Sequence, residues 1–250
     1  MSIRRIRTVV RKELRDFRRN RFLLATMSFM PFVFLVSPLI TLLRIPASAP
    51  ASVVDRSVGV TSLLLLVVPA VIPPIMAAYS VIGERDQGTL EPFLTTPIRP
   101  DELLLAKALA VFIPSVSVAY AIYFVFALTV RFGAAHVVSA AVWHAPQLLA
   151  QLTFTPLIAT WAIWVGIAMS VRARDVRLAQ QLATLASLPA LGVTTLITFR
   201  VITPSVPLAV GIALGLLAVD IAAWRLVSRL FDRERLITGH RHTTLADHAA

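Results

Sequence analysis

Residues 83–107 read GERDQGTLEPFLTTPIRPDELLLAK and separate two long apolar runs of the chain. This polar segment carries five carboxylates (Glu84, Asp86, Glu91, Asp101 and Glu102), although the 250 residues of the chain include only 13 acids. A charged side chain at the centre of a bilayer costs about 2.5–3.5 kcal/mol on insertion scales. The polar segment is therefore predicted to lie in water or against a partner protein, outside the hydrocarbon.

The composition of the whole chain indicates a membrane protein. Hydrophobic residues make up 57% and charged residues 15%, whereas a soluble domain has about 25% charged residues. The net charge of +11 does not predict a nucleic-acid partner, because most basic residues lie between or beside apolar runs, where the positive-inside rule accounts for them. The chain has no cysteine, which excludes a disulfide framework and thiolate metal sites. We expect an integral membrane protein surrounded by lipid.

Six apolar runs are long enough to cross a bilayer, since a helix that rises 1.5 Å per residue needs about 20 residues to cross about 30 Å. The predicted fold is all-α, with a six-span transmembrane domain over 22–228. The spans are predicted at 22–43, 58–82, 103–130, 148–171, 178–199 and 208–227.

The segments between and after these spans were also assigned from the sequence. A short loop is predicted at 44–56 and a moderately apolar link at 131–147. Lys107 lies near enough to the end of the third span to snorkel to the interface, and Asp101 and Glu102 can cap that span. Residues 229–250 are predicted to form a largely disordered tail, because no apolar periodicity is found from about residue 240 onward.

The first 21 residues hold nine basic residues and two acids. Apolar residues recur at a spacing of three to four and share one helical face; they are Ile3, Ile6, Val9 or Val10, Leu14 and Phe17. This pattern predicts an amphipathic helix over 1–21 that lies along the membrane surface, with its basic face toward anionic headgroups. The alternative is a basic flank that only sets the topology.

The distribution of basic residues predicts the orientation. Six spans place both termini on one side of the membrane. With that side cytoplasmic, 20 of the 24 Lys and Arg residues lie inside, and only Arg44, Arg56, Arg131 and Arg200 lie outside. By the positive-inside rule we expect a multi-pass protein of the cell membrane, with both termini and the polar segment in the cytoplasm.

The middle of the polar segment has the signals of a helix of about two turns. Thr89 is a good N-cap, and an acid and a proline follow in the first turn, where both are tolerated. Pro97 ends the helix, because the residue before a proline is pushed out of the α region. Leu90, Phe93 and Leu94 form its apolar face. A solvated loop at the level of the headgroups is the alternative interpretation.

The run E-R-D-x-G-T-L-E-x-x-L-x-T-P-I-x-x-x-E-x-L-x-x-K in this segment resembles the first cytoplasmic loop in membrane (permease) subunits of ATP-binding-cassette exporters of the type-2 permease class. The resemblance extends to the R-K-E-L sequence at 11–14, to the six spans and to the cytoplasmic termini. Asp86 stands where family members often have Glu, and Ala106 replaces a frequent glycine.

This resemblance implies that the short cytoplasmic helix between spans two and three is a coupling helix seated in a cleft of a separate ATPase. The residues that it assigns to ATPase coupling are Glu84, Arg85, Gly88, Thr89, Leu90, Glu91, Phe93, Leu94, Thr96 and Pro97.

The chain has no nucleotide site of its own. A P-loop requires G-x-x-x-x-G-K-[ST], and the two lysines, Lys12 and Lys107, have neither the glycine before nor the Ser or Thr after. ATP and Mg²⁺ are therefore expected on the partner ATPase, with no cofactor in this chain. Because His-Glu-x-x-His, Gly-x-Ser-x-Gly and paired carboxylates at depth are also missing from the sequence, we do not expect an enzyme.

Three polar residues inside the spans are candidates for a translocation path. Asp220 is the only acid away from the ends of the apolar runs, and acids inside a bilayer are functional candidates; the alternative is a snorkelling or paired interfacial acid. Gln151 and Thr155 lie one turn apart and could line a polar stripe, or else hydrogen-bond between helices.

The sequence as a whole predicts the transmembrane subunit of an ATP-driven exporter. It would form the translocation path as a homodimer, or with a related permease, and couple to the ATPase through the loop 83–107. The alternative is an ATP-independent channel or secondary carrier. The substrate is not predicted, because apolar walls that would suit a hydrophobic substrate are also needed to face lipid.

Overall fold

The structure is a computed structural model, and it describes residues 2–86, 99–172, 177–185, 192, 195 and 206–246. All regular structure in these residues is helical. The helices are α1 (Ile3–Arg19), α2 (Arg21–Leu43), α3 (Ala51–Asp86), α4 (Pro100–Gly133), α5 (His136–Val142), α6 (Ala145–Arg172) and α7 (Val206–Ala246), with further helical residues at 177–185.

Five of the described helices are long and apolar enough to cross a membrane. Their apolar stretches are Leu23–Leu43, Ala51–Ser80, Pro100–Gly133, Gln147–Ser170 and Ala209–Arg229. These five stretches correspond to five of the six predicted runs. The remaining run, at 178–199, lies mostly outside the described residues, so a span there stays a prediction.

Helices α3 and α6 form the centre of the bundle. In the most apolar part of each of these helices, 56% of the residues are buried, compared with 24% for α2 and 11% for α7. A Cβ atom built on Gly166 of α6 would lie 2.9 Å from both Ala77 Cβ and Pro74 Cα of α3. The two backbones therefore approach so closely that position 166 accepts only glycine, in the way that small residues allow close packing between membrane helices.

The outer helices expose large apolar side chains. Phe29 and Phe32 of α2 are 68% and 58% exposed, and Leu214 of α7 is 60% exposed. Many large apolar side chains exposed on one surface are unusual for a soluble monomer. The outer surface of this bundle is therefore suited to lipid or to another protein in the membrane.

The helix boundaries differ from the predicted ones where helix extends beyond the apolar run. Helix α3 begins at Ala51, so the connection after α2 is shorter than the predicted loop 44–56. The carbonyl of Pro50 accepts hydrogen bonds from the amides of Val53 and Val54, which starts the helix before its apolar part. A short helix, α5, lies within the predicted link 131–147, and its Val138 and Val142 are buried in a cluster with α2, α3 and α4.

Helix α7 continues to Ala246, where we expected a largely disordered tail from residue 229. A helix that has already formed needs no apolar periodicity to continue, because each added residue gains one hydrogen bond without a new nucleus. The sequence RLFDRERL at 229–236 is also rich in residues of high helix propensity.

Candidate functional site

The ten residues assigned to ATPase coupling fall mainly outside the described residues. Residues 84–86 complete helix α3, and 87–98 are not described. The coupling helix therefore stays a prediction. What the structure describes is the base of the polar segment, where α3 ends, α4 begins and α1 packs against both.

Helix α1 forms over most of the predicted range, and its inner face packs on protein. Val9, Glu13 and Phe17, spaced four residues apart, are buried. Val9 packs against Leu103 and Ala106 of α4, and Phe17 joins the main core formed by α2, α3, α4 and α6. The apolar face of α1 was predicted to face lipid. Only part of it can contact lipid, because Val9 and Phe17 face other helices.

A buried ion pair lies at the centre of this packing. Lys107 Nζ of α4 lies 3.1 Å from Glu13 Oε1 of α1. It also lies 2.9 Å from the carbonyl oxygen and 3.3 Å from the hydroxyl of Ser80, near the end of α3. The Ser80 hydroxyl donates to Glu13 Oε2 at 2.9 Å. The Glu13/Ser80/Lys107 cluster thus joins α1 to the two helices that flank the polar segment.

Both charged residues of this cluster are almost completely shielded from solvent. Glu13 is 3% exposed and Lys107 is 2% exposed. The prediction that Lys107 snorkels to the interface is therefore wrong in this structure. Taking an isolated charge out of water costs several kcal/mol, and pairing with well-placed hydrogen bonds offsets this cost. The cluster satisfies that requirement with an opposite charge and a hydroxyl.

A second contact fixes the beginning of α1. The backbone amide of Ser2 donates to Glu102 Oε1 at 2.7 Å, and Arg5 Nη1 lies 3.7 Å from Glu102 Oε2. Glu102 lies in the first turn of α4, where an acid is also favourable to the helix dipole. The side chain of the N-cap residue, Arg99, makes no capping hydrogen bond, but the Glu102 carboxylate also accepts from the backbone amide of Arg99, as predicted for a cap of this helix.

Sequence reasoning missed Glu13 and Ser80, although one signal for Glu13 was present. Glu13 lies four residues after Val9 and four before Phe17, so a helix places it on the apolar face. An acid there is costly unless it has a partner. The partners lie 67 and 94 positions away, and a sequence without a fold does not identify contacts at that distance.

The two polar residues predicted on the fourth span are buried and contact each other. Gln151 and Thr155 are 3% and 0% exposed, and Gln151 Nε2 donates to Thr155 Oγ1 at 3.4 Å. This hydrogen bond lies within α6 and does not cross to another helix. Neither residue lines the cavity that contains Asp220, so the structure does not bring the three path candidates together.

Asp220 of α7 lies in the wall of a cavity of about 280 Å³ that lies between α6 and α7 and is largely open to the surface. The residue is 5% exposed. Neither of its carboxylate oxygens has a hydrogen-bond partner in the described part of the chain. The paired interfacial acid considered from the sequence thus has no partner among these residues.

Comparison with known proteins identifies the family. No curated protein matches the chain. The family model described as "ABC-2 family transporter protein" matches residues 7–202, a range that begins in α1, includes the polar segment and ends shortly before α7. Because this match covers well over half of the 250 residues, the chain belongs to the ABC-2 family of transporter proteins.

Proposed function

We propose that this chain is the transmembrane subunit of an ATP-driven exporter, driven by a separate ATPase that binds the polar segment from the cytoplasm. Family membership makes the chain a membrane transport subunit without catalytic activity of its own. ATP and Mg²⁺ are assigned to the partner ATPase, because the sequence contains no P-loop.

The observation that carries the coupling proposal is the Glu13/Ser80/Lys107 cluster. It ties the last turns of α3 and the first turns of α4 to α1 through buried, charge-assisted hydrogen bonds, which are stronger than neutral ones. A partner that pushes on residues between α3 and α4 would move all three helices together. The polar segment would therefore act on a rigid base and transmit force to the spans.

A dimer is proposed from the packing of the bundle. A single set of six helices has too little wall to enclose a wide path. The exposed apolar faces of α2 and α7 supply surface that a second copy, or a related permease, could cover. Lipid would cover the remainder.

The first experiment tests the ATPase interaction. An affinity-tagged chain is purified in mild detergent from the membranes of the organism that encodes it, and the co-purifying ATPase is quantified by mass spectrometry and ATP hydrolysis. We expect Glu91→Arg to lower ATPase recovery about tenfold or more, because reversing a charge in an interface commonly costs more than about 2 kcal/mol. The matched control, Asp55→Arg, makes the same charge change on the opposite predicted side and should leave recovery unchanged.

A second variant separates binding from coupling. Phe93→Ala/Leu94→Ala removes the apolar face of the predicted coupling helix, so we expect normal membrane abundance with ATP hydrolysis uncoupled from transport. Wild-type ATPase recovery with Glu91→Arg, together with wild-type coupling in the double variant, would reject the polar segment as the ATPase site.

One observation favours the alternative, a secondary carrier. Asp220 is an unpartnered acid buried within a span, and secondary carriers use such residues for ion coupling. Transport that continues in vesicles without ATP, and stops when the ion gradient is collapsed, would support this alternative over the exporter.

A further inference from the structure

Asp220 differs from the other buried charges of the described chain in having no protein partner. Glu13 is satisfied by Lys107 and Ser80, and Glu102 accepts a hydrogen bond from Ser2. Both oxygens of Asp220 are buried without a hydrogen bond among the described residues. Because an unpaired buried charge costs several kcal/mol, this carboxyl group is stable when protonated, or as a carboxylate beside a positive group from outside the described residues.

The surrounding wall does not supply that counter-charge. The cavity is lined mainly by apolar side chains of α6 and α7, among them Pro156 and Leu217. Thr160, a lining residue with a hydroxyl, donates to the carbonyl oxygen of Pro156 at 2.8 Å in its own helix. No basic side chain of the described residues is part of the lining. A positive group that reaches Asp220 therefore comes from outside the described residues, and the cavity gives a ligand access to the carboxylate.

Two tryptophans give the cavity an aromatic wall. Trp164 of α6 and Trp224 of α7 both line it, and their rings meet edge to face, with centroids 5.1 Å apart and an angle of 65° between planes. The electron-rich face of a tryptophan attracts cations, and quaternary ammonium groups are recognised by such rings. A carboxylate beside aromatic rings in an apolar cavity is chemistry suited to an organic cation.

We propose that the cavity between α6 and α7 binds a monovalent organic cation with an apolar body, with Asp220 as counter-charge and Trp164 and Trp224 as its walls. The inference deepens the proposed transport function, on which it rests, by assigning lipophilic cations as a class of transported substrate. A metal ion fits the site less well, because no group of three or more potential metal ligands occurs in the described residues, and Mg²⁺ and Ca²⁺ require several oxygen ligands.

Benzyltrimethylammonium is a suitable probe, because it combines an aromatic ring with a compact quaternary ammonium group. Its neutral carbon isostere, neopentylbenzene, has nearly the same shape and differs mainly in charge. The full-length protein is reconstituted in lipid nanodiscs free of amino lipids. Binding of radiolabelled benzyltrimethylammonium is measured by equilibrium dialysis, with the signal of empty nanodiscs subtracted.

We expect saturable binding by the wild-type protein that neopentylbenzene does not displace. Asp220→Asn keeps the shape of the side chain and should lower affinity about tenfold or more, the effect of losing a charged partner. Trp224→Leu should lower affinity about threefold or more, since a cation–π contact contributes at least about 0.5–1 kcal/mol. Asp16→Asn changes an exposed acid on α1 and is the matched control, expected to bind as wild type.

Two results would overturn the inference. One is an Asp220→Asn variant that elutes as a folded protein and binds the probe within about twofold of wild type. The other is equal displacement by neopentylbenzene, which would make the cavity an apolar site without charge selectivity. A variant that fails to fold is replaced by Asp220→Glu, which keeps the charge and should retain binding.

The ammonium group of an amino lipid has the same chemistry as a diffusible cation. Repeating the dialysis in nanodiscs that contain phosphatidylethanolamine distinguishes the two sources. Unchanged probe affinity assigns the cavity to a diffusible cation. Affinity that falls with the fraction of this lipid in wild type, and not in Asp220→Asn, assigns it to the lipid ammonium and overturns the substrate class proposed above.

This experiment is independent of the ATPase. Charge-selective binding without a co-purifying ATPase would retain the cation site and reject the exporter. A co-purifying ATPase with no effect of Asp220→Asn on binding would retain the exporter and reject the cation site.

Discussion

Glu13 and Lys107 illustrate how single side chains hold this membrane protein together away from its apolar core. Each is buried, and each has the other as its charged partner at 3.1 Å, with Ser80 bonded to both. Such a pair stabilises the fold only while both partners are present, because removing one partner leaves the other charge buried with less compensation. Both residues are therefore expected to tolerate joint replacement better than single replacement.

Lys107→Met is expected to lower the free energy of unfolding by up to about 3–5 kcal/mol, because it removes the closer and buried cation of Glu13. The other cation beside Glu13 Oε1 is Lys12, which lies 3.6 Å away and is 38% exposed. Unfolding in mixed detergent micelles, followed by circular dichroism, measures the change. Arg11→Met is the control, since it removes an exposed positive charge from the same helix; exposed charges contribute about 0–1 kcal/mol.

The double variant Glu13→Leu/Lys107→Met completes the test. It removes both charges, so its loss should be clearly smaller than the sum of the two single losses, and the difference gives the coupling energy of the pair. Strict additivity would show that the ion pair does not stabilise the contact between α1 and α4.

At the level of helices, the sequence predicts the membrane-spanning helices, because each of them requires a long continuous apolar run. Five spans agree with described helices because a bilayer selects for about 20 consecutive apolar residues. Hydropathy did not find three helical parts of the chain, because none of them belongs to a long apolar run. They are the start of α3 at Ala51, the short helix α5 and the continuation of α7.

The candidate site was predictable to a different degree. Asp220 was identified because an acid is conspicuous in an apolar run. The position of the polar segment outside the hydrocarbon stays a prediction from its charge. The cavity and the role of Trp224 in its wall were not predictable from the sequence. They depend on the contact of Thr160 and Trp164 of α6 with α7, and no sequence pattern indicates which helices pack together.

The close approach of α3 and α6 gives a prediction for Gly166. A methyl group at this position would lie 2.9 Å from Ala77 and Pro74, and overpacking of this kind costs about 1–3 kcal/mol. Gly166→Ala should therefore lower the thermal midpoint measured by fluorescence-detected size exclusion.

Gly211→Ala makes the same substitution on α7, where a methyl group would meet nothing within 4 Å. It should leave the midpoint unchanged or raise it slightly, because alanine is the better helix former. Equal effects of the two substitutions would contradict the close contact between α3 and α6.

For the molecule as a whole, the distribution of charge predicts the orientation in the membrane. The native chain contains no cysteine, so single cysteines can report topology without background. Ser48→Cys, in the predicted outer loop, should react with a membrane-impermeant maleimide in intact cells. Gln87→Cys and His248→Cys should react only after permeabilisation.

The same labelling counts the spans. Six spans place His248 on the cytoplasmic side with Gln87, whereas five would place it outside. Labelling of His248→Cys in intact cells would therefore contradict the predicted span at 178–199, and labelling of Gln87→Cys would contradict the proposed ATPase site.

The contact between Glu13 and Lys107 also sets an order of events during synthesis. The two residues are 94 positions apart, and a ribosome that adds about 5–20 residues per second needs about 5–20 s to make the second after the first. During this interval the first helix has no binding site, because the helix that receives it does not yet exist. A basic amphipathic segment is stable on an anionic lipid surface, so the nascent chain can keep α1 there until the third span has been inserted and α1 can dock.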